Sequence, residues 1–291
     1  MSQPDNRCLL RVFFATRAEA PEVDVGDRPL LDALTRRGVS VEAAVWSDAS
    51  VDWSSADLCL LRSTWDYHKH YAEFLSWTEH VALVTRLWND VDLVRWNSDK
   101  RYLQELERAG IPIVPTTWVR RDESVDLAAL LDSHAWSSAV VKPVVSADSF
   151  GTRRVHRSSA VEAQRHLDEL LRMSGVMIQP FLASVETYGE RSLIFINRAH
   201  THTVHRGDVF GQGLKRSVVG SAEPDELEVA LSALGIVQQP VHYARVDLVR
   251  DQSGVCRLME LELVEPSLMF DLAPEAAEQF ADHIARSIVR H

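Results

Sequence analysis

The sequence predicts an α/β amino-terminal domain built on a parallel sheet, followed by an α+β region. Short apolar runs alternate with helical segments over about the first 95 residues, a rhythm typical of parallel strands joined by crossover helices. Further on, strand-like segments follow one another in pairs, which indicates antiparallel pairing beside helices. The length of 291 residues is too large for one ordinary core and suits two.

The amino-terminal domain, residues 1–95, is expected to hold four strands and two helices. Pro29 in a first helical turn and Gly38 after the last apolar position are typical bounds of a first helix. A second helix over about 70–80 would direct Phe74 and Trp77 inward. The strands are predicted at residues 9–15, 39–46, 58–61 and 81–84.

The first part of the following region is predicted to span about residues 96–188. Ser98 is expected to cap a helix that runs through Ala109, and Ser159 with Glu162 resembles a capping box at the start of another helix. Strands are predicted at 116–119, 139–142 and 176–179.

The second part is predicted to span about residues 189–291. Pro224 and Gly235 bound a helix whose predicted inner face carries Leu227, Leu231 and Leu234. A last helix from about Pro274 has an amphipathic pattern. Its stripe is Ala277, Phe280, Ala281, Ile284 and Ile288, and strands are predicted at 192–196, 200–205, 243–250 and 257–264.

The net charge limits the kinds of molecule that this protein is expected to bind. Lys and Arg total 31 against 42 Asp and Glu, a net charge of -11, which disfavours nucleic acid and anionic membranes. No apolar run approaches the roughly 18 residues that span a bilayer, and Arg11 interrupts the first one, so neither an anchor nor a signal peptide is expected. The three cysteines lie far apart, which favours a reduced, cytoplasmic protein, whereas the sequence leaves a homo-oligomer open.

Acidic side chains cluster on two adjacent strand-like segments. Arg245 and Asp247 share one face of the first strand, and Glu260 and Glu262 share one face of the second. A turn at residues 251–254 would join the strands as a hairpin and bring the four side chains together. Three oxygen ligands suit Mg²⁺ better than Zn²⁺. The alternative is a solvated outer face of an edge hairpin.

Two further segments have patterns that suit a nucleotide. Lys142 ends an apolar strand, where its charge could meet a phosphate, and the small residues of the loop 146–152 would let backbone N–H groups approach phosphate oxygens. The strand 176–182 runs into an irregular segment that could offer backbone groups to a purine, and Glu186 could bind a ribose. Each has a simpler alternative, a surface lysine with a turn and a strand with its exit loop.

These segments, in this order, resemble the ATP-grasp superfamily over nearly the whole chain. The resemblance implies that Arg245 and Arg206 join Lys142 in catalysis, and that Asp247, Glu260 and Glu262 hold Mg²⁺, with two ions expected. Glu262 replaces the usual Asn of the superfamily, and the loop 146–152 has one glycine where several are usual. The implied ATP-binding residues are Lys100, Lys142, Ser146, Ser149, Gly151, Thr152, Gln179, Pro180, Phe181, Leu182 and Glu186.

Within the superfamily, three segments resemble a small group of actinobacterial ligases: 62–68, 95–97 and 189–193. The group implies a carbon–nitrogen ligase of antibiotic biosynthesis that activates a small amino acid carboxylate as an acyl phosphate. One such reaction closes O-ureido-D-serine to D-cycloserine. The alternatives are an intermolecular peptide or amide ligase of the same superfamily, and a small-molecule kinase or ATP-binding sensor.

A zwitterionic substrate needs a cation for its carboxylate and an anion for its ammonium group. Arg62, Asp66 and Tyr67 follow the third predicted strand, at the sheet edge where open α/β sheets bind ligands. Arg206 with Glu190, and His202, are the candidates from the second region. The alternative for Arg62 and Asp66 is a capping network of the next helix. The cluster of His200, His202 and His205 lacks the ligands of a zinc site and favours a substrate or phosphate contact.

Overall fold

A computed structural model of the chain describes residues 10–207 and 217–288. The predicted parallel sheet of the amino-terminal domain is confirmed, with four strands in the order β2–β1–β3–β4. Helices α1 (Arg28–Arg36) and α2 (Tyr71–Val84) are the crossovers. The strands are β1 (Arg11–Thr16), β2 (Ser40–Val45), β3 (Leu58–Leu61) and β4 (Leu87–Trp88).

The fourth strand lies later in the chain than predicted. Residues 81–84 belong to the last turn of α2, because the buried side chains continue at helical spacing through Phe74, Thr78 and Val81. Leu83 points outward and is 85% exposed, as a strand buried on both faces would not allow. The prediction of a strand at 81–84 is therefore wrong, and β4 begins at Leu87.

A second sheet is antiparallel and has the order β5–β8–β6–β7. Two helices precede the first strand of this sheet in the chain, and two lie between its strands. The strands are β5 (Thr117–Val119), β6 (Ser138–Pro143), β7 (Arg153–His156) and β8 (Val176–Pro180). The helices are α3 (Val91–Asn97), α4 (Tyr102–Arg108), α5 (Leu127–Ser133) and α6 (Ala160–Met173).

One predicted helix start and one predicted capping interaction in this part are wrong. Ser98 does not begin a helix but ends α3, where its N–H bonds to the carbonyl of Val94, and α4 starts afresh at Tyr102. Helix α6 begins after Ser159 as predicted, but the capping box does not form: the Ser159 hydroxyl donates to the carbonyl of His156 at 3.3 Å, and Glu162 forms an ion pair with Arg153. The sequence analysis also missed α5 and β7.

A third sheet is antiparallel and has the order β11–β10–β9–β12–β13. The predicted hairpin of long strands is confirmed as β12 and β13. The strands are β9 (Glu190–Ile196), β10 (Ala199–Arg206), β11 (Ser217–Gly220), β12 (Tyr243–Arg250) and β13 (Cys256–Glu262). The helices are α7 (Ser184–Thr187), α8 (Pro224–Ile236) and α9 (Pro274–Ile288).

The two carboxy-terminal helices differ in how well their patterns predicted burial. In α8 the buried positions include Ala230, Ala233 and Leu234, whereas Leu231 is 51% exposed, so the predicted inner face is only partly right. In α9 every position of the predicted stripe is buried. This last helix packs against α1 and shares a core with the first sheet, so the end of the chain completes the amino-terminal core.

No helix among the described residues is long and apolar enough to cross a membrane. The domain boundaries near residues 95 and 188 stay predictions.

Candidate active site

A cleft of about 430 Å³ lies among the hairpin of β12 and β13, the end of β6, the exit of β8 and the segment after β3. The last of these contributes Trp65 and Tyr67 from the amino-terminal domain. The predicted catalytic and metal-binding residues all line this cleft: Lys142, Arg206, Arg245, Asp247, Glu260 and Glu262.

The hairpin brings its three carboxylates together as predicted. Across the ladder Asp247 pairs with Glu260, and Arg245 pairs with Glu262. One oxygen from each of Asp247, Glu260 and Glu262 lies within 4.8 Å of the others, the spacing of a group that could hold a metal ion. The alternative of a solvated outer face does not fit, because Asp247 is 2% exposed and faces the cleft.

Bases surround this acidic group and hold its charges in place. Arg245 donates from Nε to Asp247 at 3.0 Å and from its guanidinium to Glu262. Arg206 lies 3.2 Å from Asp247, and Ser192 donates its hydroxyl to the same carboxylate at 2.6 Å. Burial raises the pKa of Asp247, but Arg245 and Arg206 outweigh it, and the pKa is lowered on balance.

Glu262 differs from Asp247 and Glu260 in the direction in which its pKa is shifted. Burial raises the pKa of this carboxyl to about 7, against the attraction of Arg245. For Glu260 burial acts in the same direction, but Lys100 and Lys142 together keep its pKa below the usual range. The additional negative charge that Glu262 brings to the site is therefore the most weakly held of the three.

The two lysines have different surroundings. Lys100 contacts Glu260 at 2.9 Å and donates to the carbonyl of Ser146 at 2.6 Å, so it links the hairpin to the loop 146–152. Lys142 is 7% exposed, and no carboxylate of the described residues lies within ion-pair distance of it. Burial lowers the pKa of Lys142, which indicates a cation that lacks a full complement of negative charge.

The loop 146–152 lies beside both lysines. Ser146, Ser149 and Thr152 line the cleft, whereas Gly151 does not. Gly151 has a φ of +69°, and a Cβ there would approach Pro143 to 3.1 Å, so only glycine fits this turn comfortably. The ring of Phe150 lies 4.4 Å from that of His68, which connects the loop to the amino-terminal domain.

The other end of the cleft is mainly apolar. Gln179, Pro180, Phe181 and Leu182 line it as predicted, and the Gln179 side chain donates to the hydroxyl of Thr116 at 2.9 Å. Val114, Val140, Val185, Val249 and Met259 complete the apolar wall. A flat heteroaromatic group would find a matching surface here.

Glu186 does not line the cleft. It forms an ion pair with Arg154 at 2.7 Å, and the Arg154 guanidinium lies 3.4 Å above the ring of Phe181. In this arrangement Glu186 pairs with Arg154 and is not directed into the cleft, so the implied ribose contact stays a prediction.

Arg62 and Asp66 are not free to meet a substrate. Arg62 is 2% exposed and forms a two-pronged ion pair with Asp27, at 3.0 and 2.8 Å. Asp66 accepts the indole N–H of Trp46 at 2.8 Å. Neither side chain lines the cleft, whereas Tyr67 does. The pairing of Arg62 with a distant Asp27 was not foreseen, and it leaves the expected substrate contacts without support from the geometry.

The other candidate substrate-binding residues also differ in whether they line the cleft. Glu190 and Arg206 line the cleft and pair with each other. His202 is buried, lies 3.1 Å from the carbonyl oxygen of Leu268 and does not line the cleft, and burial lowers its pKa to about 4. Among the residues described, the only group of side chains close enough to hold a metal ion is the carboxylate trio. The predicted substrate or phosphate contact of His200, His202 and His205 stays a prediction.

The sequence analysis missed three side chains that shape the site. Asn97 bonds through its amide to the carbonyl of Leu261 and accepts the N–H of Leu263, both at 2.7 Å, and Tyr102 accepts the N–H of Leu261 at 2.8 Å. These bonds hold the strand that carries Glu260 and Glu262. Glu265 lines the cleft as a further carboxylate. Its position beside Pro266, just past the hairpin, was the available signal.

Solved structures share this fold. A crystal structure of D-cycloserine synthetase DcsG matches with a TM-score of 0.87 and 34% identity, over 96% of this chain and 99% of that one. The ATP-grasp ligase PsnB, complexed with a minimal precursor, Mg and ADP, matches with a TM-score of 0.62 and 15% identity, over 96% and 98% of the two chains. The fold and the cleft together define an ATP-dependent carbon–nitrogen ligase of the ATP-grasp class.

The sequence comparisons narrow this class. The family model for the N-terminal domain of D-cycloserine synthetase DcsG matches residues 12–89. The cycloserine biosynthesis protein DcsG of Streptomyces lavendulae is 35% identical over an alignment of 291 residues, which covers 94% of this chain and 97% of that protein. The chain belongs to the D-cycloserine synthetase (DcsG) family.

Proposed function

We propose that this ligase uses ATP and Mg²⁺ to close O-ureido-D-serine to D-cycloserine. The observation that carries the proposal is the likeness to the cycloserine biosynthesis protein along nearly the full length of both chains. The likeness includes the amino-terminal domain, whose Trp65 and Tyr67 form one wall of the cleft. That wall lies outside the predicted nucleotide-binding segments, and it suits a substrate-binding role.

The carboxylate trio fits a magnesium site. Mg²⁺ prefers oxygen ligands, and Asp247, Glu260 and Glu262 each offer one within 4.8 Å of the others. We assign these three residues to the metal, with two ions expected from the number of carboxylates. When bound, Mg²⁺ supplies positive charge that offsets the charge of the nucleotide phosphates.

The nucleotide would lie along the length of the cleft. Its adenine would occupy the apolar end near Phe181 and Leu182, and Lys142, which lacks an ionic partner among the described residues, would bind phosphate oxygens. Lys100 would keep the loop 146–152 against the hairpin through Ser146, and it would contact the phosphates from the same position. Ser149 and Thr152 would contribute polar contacts from that loop.

The reaction would proceed in two steps. The substrate carboxylate attacks the γ-phosphorus of ATP, which gives an acyl phosphate and releases ADP; Arg245 and Arg206 offset the charge on the transferring group. The ring nitrogen then displaces phosphate. Because this nitrogen belongs to the same molecule, its effective concentration is high without a second binding site. The carbamoyl group of the ureido substituent is absent from the product, so its bond to the ring nitrogen must also be hydrolysed, with one water consumed and ammonia and carbon dioxide released.

The test is to incubate the enzyme with ATP, Mg²⁺ and O-ureido-D-serine, measure ADP, and analyse the products by mass spectrometry. D-Cycloserine formed in proportion to ADP is the expected result, and an Asp247→Asn variant is the control for contaminating activity. ADP release with a phosphorylated product and no new carbon–nitrogen bond would indicate a kinase. A product that forms only after a second amino acid is added would indicate an intermolecular ligase.

A further inference from the structure

Three consecutive carbonyl groups beside the cleft are held by side chains from two parts of the chain. The indole of Trp65 donates to the carbonyl of Glu265 at 3.0 Å. Arg62 donates to the carbonyl of Pro266 at 3.2 Å, and Arg245 donates to that of Ser267 at 3.2 Å. The segment 265–267 is thus fixed between the amino-terminal domain and the metal-binding hairpin.

The donors themselves are rigid. The guanidinium of Arg62 is held by Asp27 and lies 5.4 Å above the ring of Tyr243. That of Arg245 is held by Asp247. Side chains that are fixed by their own partners position the groups that they contact more precisely than mobile ones do. The backbone of Glu265 is therefore held in a defined place.

Six acids line the cleft, and one of them, Asp148, is exposed. Among the five that are shielded from solvent, Glu265 is the one without a cation within ion-pair distance in the described residues. Asp247, Glu260, Glu262 and Glu190 each pair with a lysine or arginine. Within residues 10–207 and 217–288, Glu265 forms no ion pair. Burial, and then repulsion from Glu262, raises the pKa of Glu265 to about 8. A cation that entered the cleft would relieve both costs.

We propose that Glu265 binds the α-ammonium group of the amino acid substrate. The ammonium group lies one carbon away from the carboxylate that is to be phosphorylated. Its anionic partner must therefore lie next to the metal-binding residues, and Glu265 follows Glu262 by three positions on the fixed segment. Trp65, which donates to the carbonyl of Glu265, and Tyr67 line the cleft as well. The inference rests on the proposed function only in taking the substrate to be an α-amino acid.

The test compares Glu265→Gln with the wild type on two substrates, O-ureido-D-serine and its analogue without the α-amino group. The variant keeps the size of the side chain but loses its charge. We expect kcat/KM for O-ureido-D-serine to fall at least about tenfold, mainly through KM, while kcat/KM for the analogue changes less than about twofold. The affinity for a non-hydrolysable ATP analogue, measured by calorimetry, should be unchanged. Glu275→Gln, an exposed acid on α9, is the matched control.

Four outcomes would overturn the inference. Equal losses on both substrates would indicate a structural role for Glu265, and a changed Mg²⁺ requirement with unchanged amino-group preference would indicate a metal ligand. Unchanged kinetics on both substrates, or a wild type that does not distinguish them, would show that no ammonium group is recognised there. If the wild type instead acts on another α-amino acid, the proposed substrate is wrong, and the same comparison with that amino acid and its deaminated counterpart still decides the role of Glu265.

Discussion

Asp247 on β12 lies directly opposite Glu260 on β13, and the register of the two strands slips by one residue immediately beyond this pair. Leu248 pairs with Leu258, so Met259 is the additional residue of a β-bulge. Bulges of this kind occur next to active sites, where they redirect side chains. Here the bulge lies at the boundary between the carboxylates that face the cleft and the turn at the far end of the hairpin.

The first prediction concerns Glu260→Gln. We expect Mg²⁺-dependent ADP formation to fall at least about 100-fold, because one of three oxygen ligands loses its charge. The variant also weakens the contact with Lys100, so the free energy of unfolding should fall by about 1–3 kcal/mol. Glu262→Gln should affect activity in the same way but should not lower stability at pH 8, because burial raises the pKa of Glu262 to about 7 and its ionised form is therefore disfavoured by folding. Normal activity of Glu260→Gln would remove this residue from the metal site.

The second prediction concerns Lys142→Met, which keeps the length of the side chain and removes its charge. The dissociation constant of a non-hydrolysable ATP analogue should rise at least about tenfold, since a charged hydrogen bond contributes roughly 1.5–3 kcal/mol. Stability should not fall, because Lys142 is buried without an ionic partner in the described parts of the chain. Lys69→Met, at an exposed ion pair, is the control. A change confined to the KM of the amino acid substrate would contradict the nucleotide assignment.

The third prediction concerns the buried pair of Arg62 and Asp27. Arg62→Ala should lower the free energy of unfolding, measured with urea, by about 3–5 kcal/mol, because Asp27 would keep a buried and uncompensated charge. Arg11→Ala, which breaks the exposed pair with Glu42, should cost less than about 1 kcal/mol. If Arg62→Ala unfolds like the wild type and raises only the KM of the amino acid substrate, the result would support the prediction that Arg62 contacts the substrate directly.

The fourth prediction concerns pH. His242 stacks on Trp88 at 3.7 Å and bonds to His283, and burial lowers its pKa to about 4. The unfolded chain takes up this proton near pH 6.5 and the folded chain only near pH 4, so stability falls as the pH decreases between these values. The loss from this residue is up to about 3 kcal/mol. His242→Phe should flatten the profile of unfolding free energy against pH, whereas His70→Gln, at an exposed histidine, should not.

Local spacing in the sequence was enough to predict the acidic hairpin. Residues two apart on a strand share a face, and a short turn fixes which residues oppose each other, so Arg245, Asp247, Glu260 and Glu262 could be brought together without knowledge of the fold. The stripe of α9 was equally readable, because its period matches the helix. The strand placed at residues 81–84 failed because a run of four apolar residues suits a helix end as well as a strand.

The sequence by itself determined the class of sheets and the acidic hairpin, since each depends on neighbours within a few residues. Only the tertiary structure shows which residue pairs with Arg62 and that Glu265 lies in the cleft. Arg62 pairs with Asp27, which lies 35 residues away in the chain. It also donates to the carbonyl of Pro266, which lies 204 residues away in the chain. A buried charged side chain supports the fold when a residue from elsewhere in the chain neutralises it, and it is available to a substrate when no such residue does. The local sequence carries no information about that distant partner.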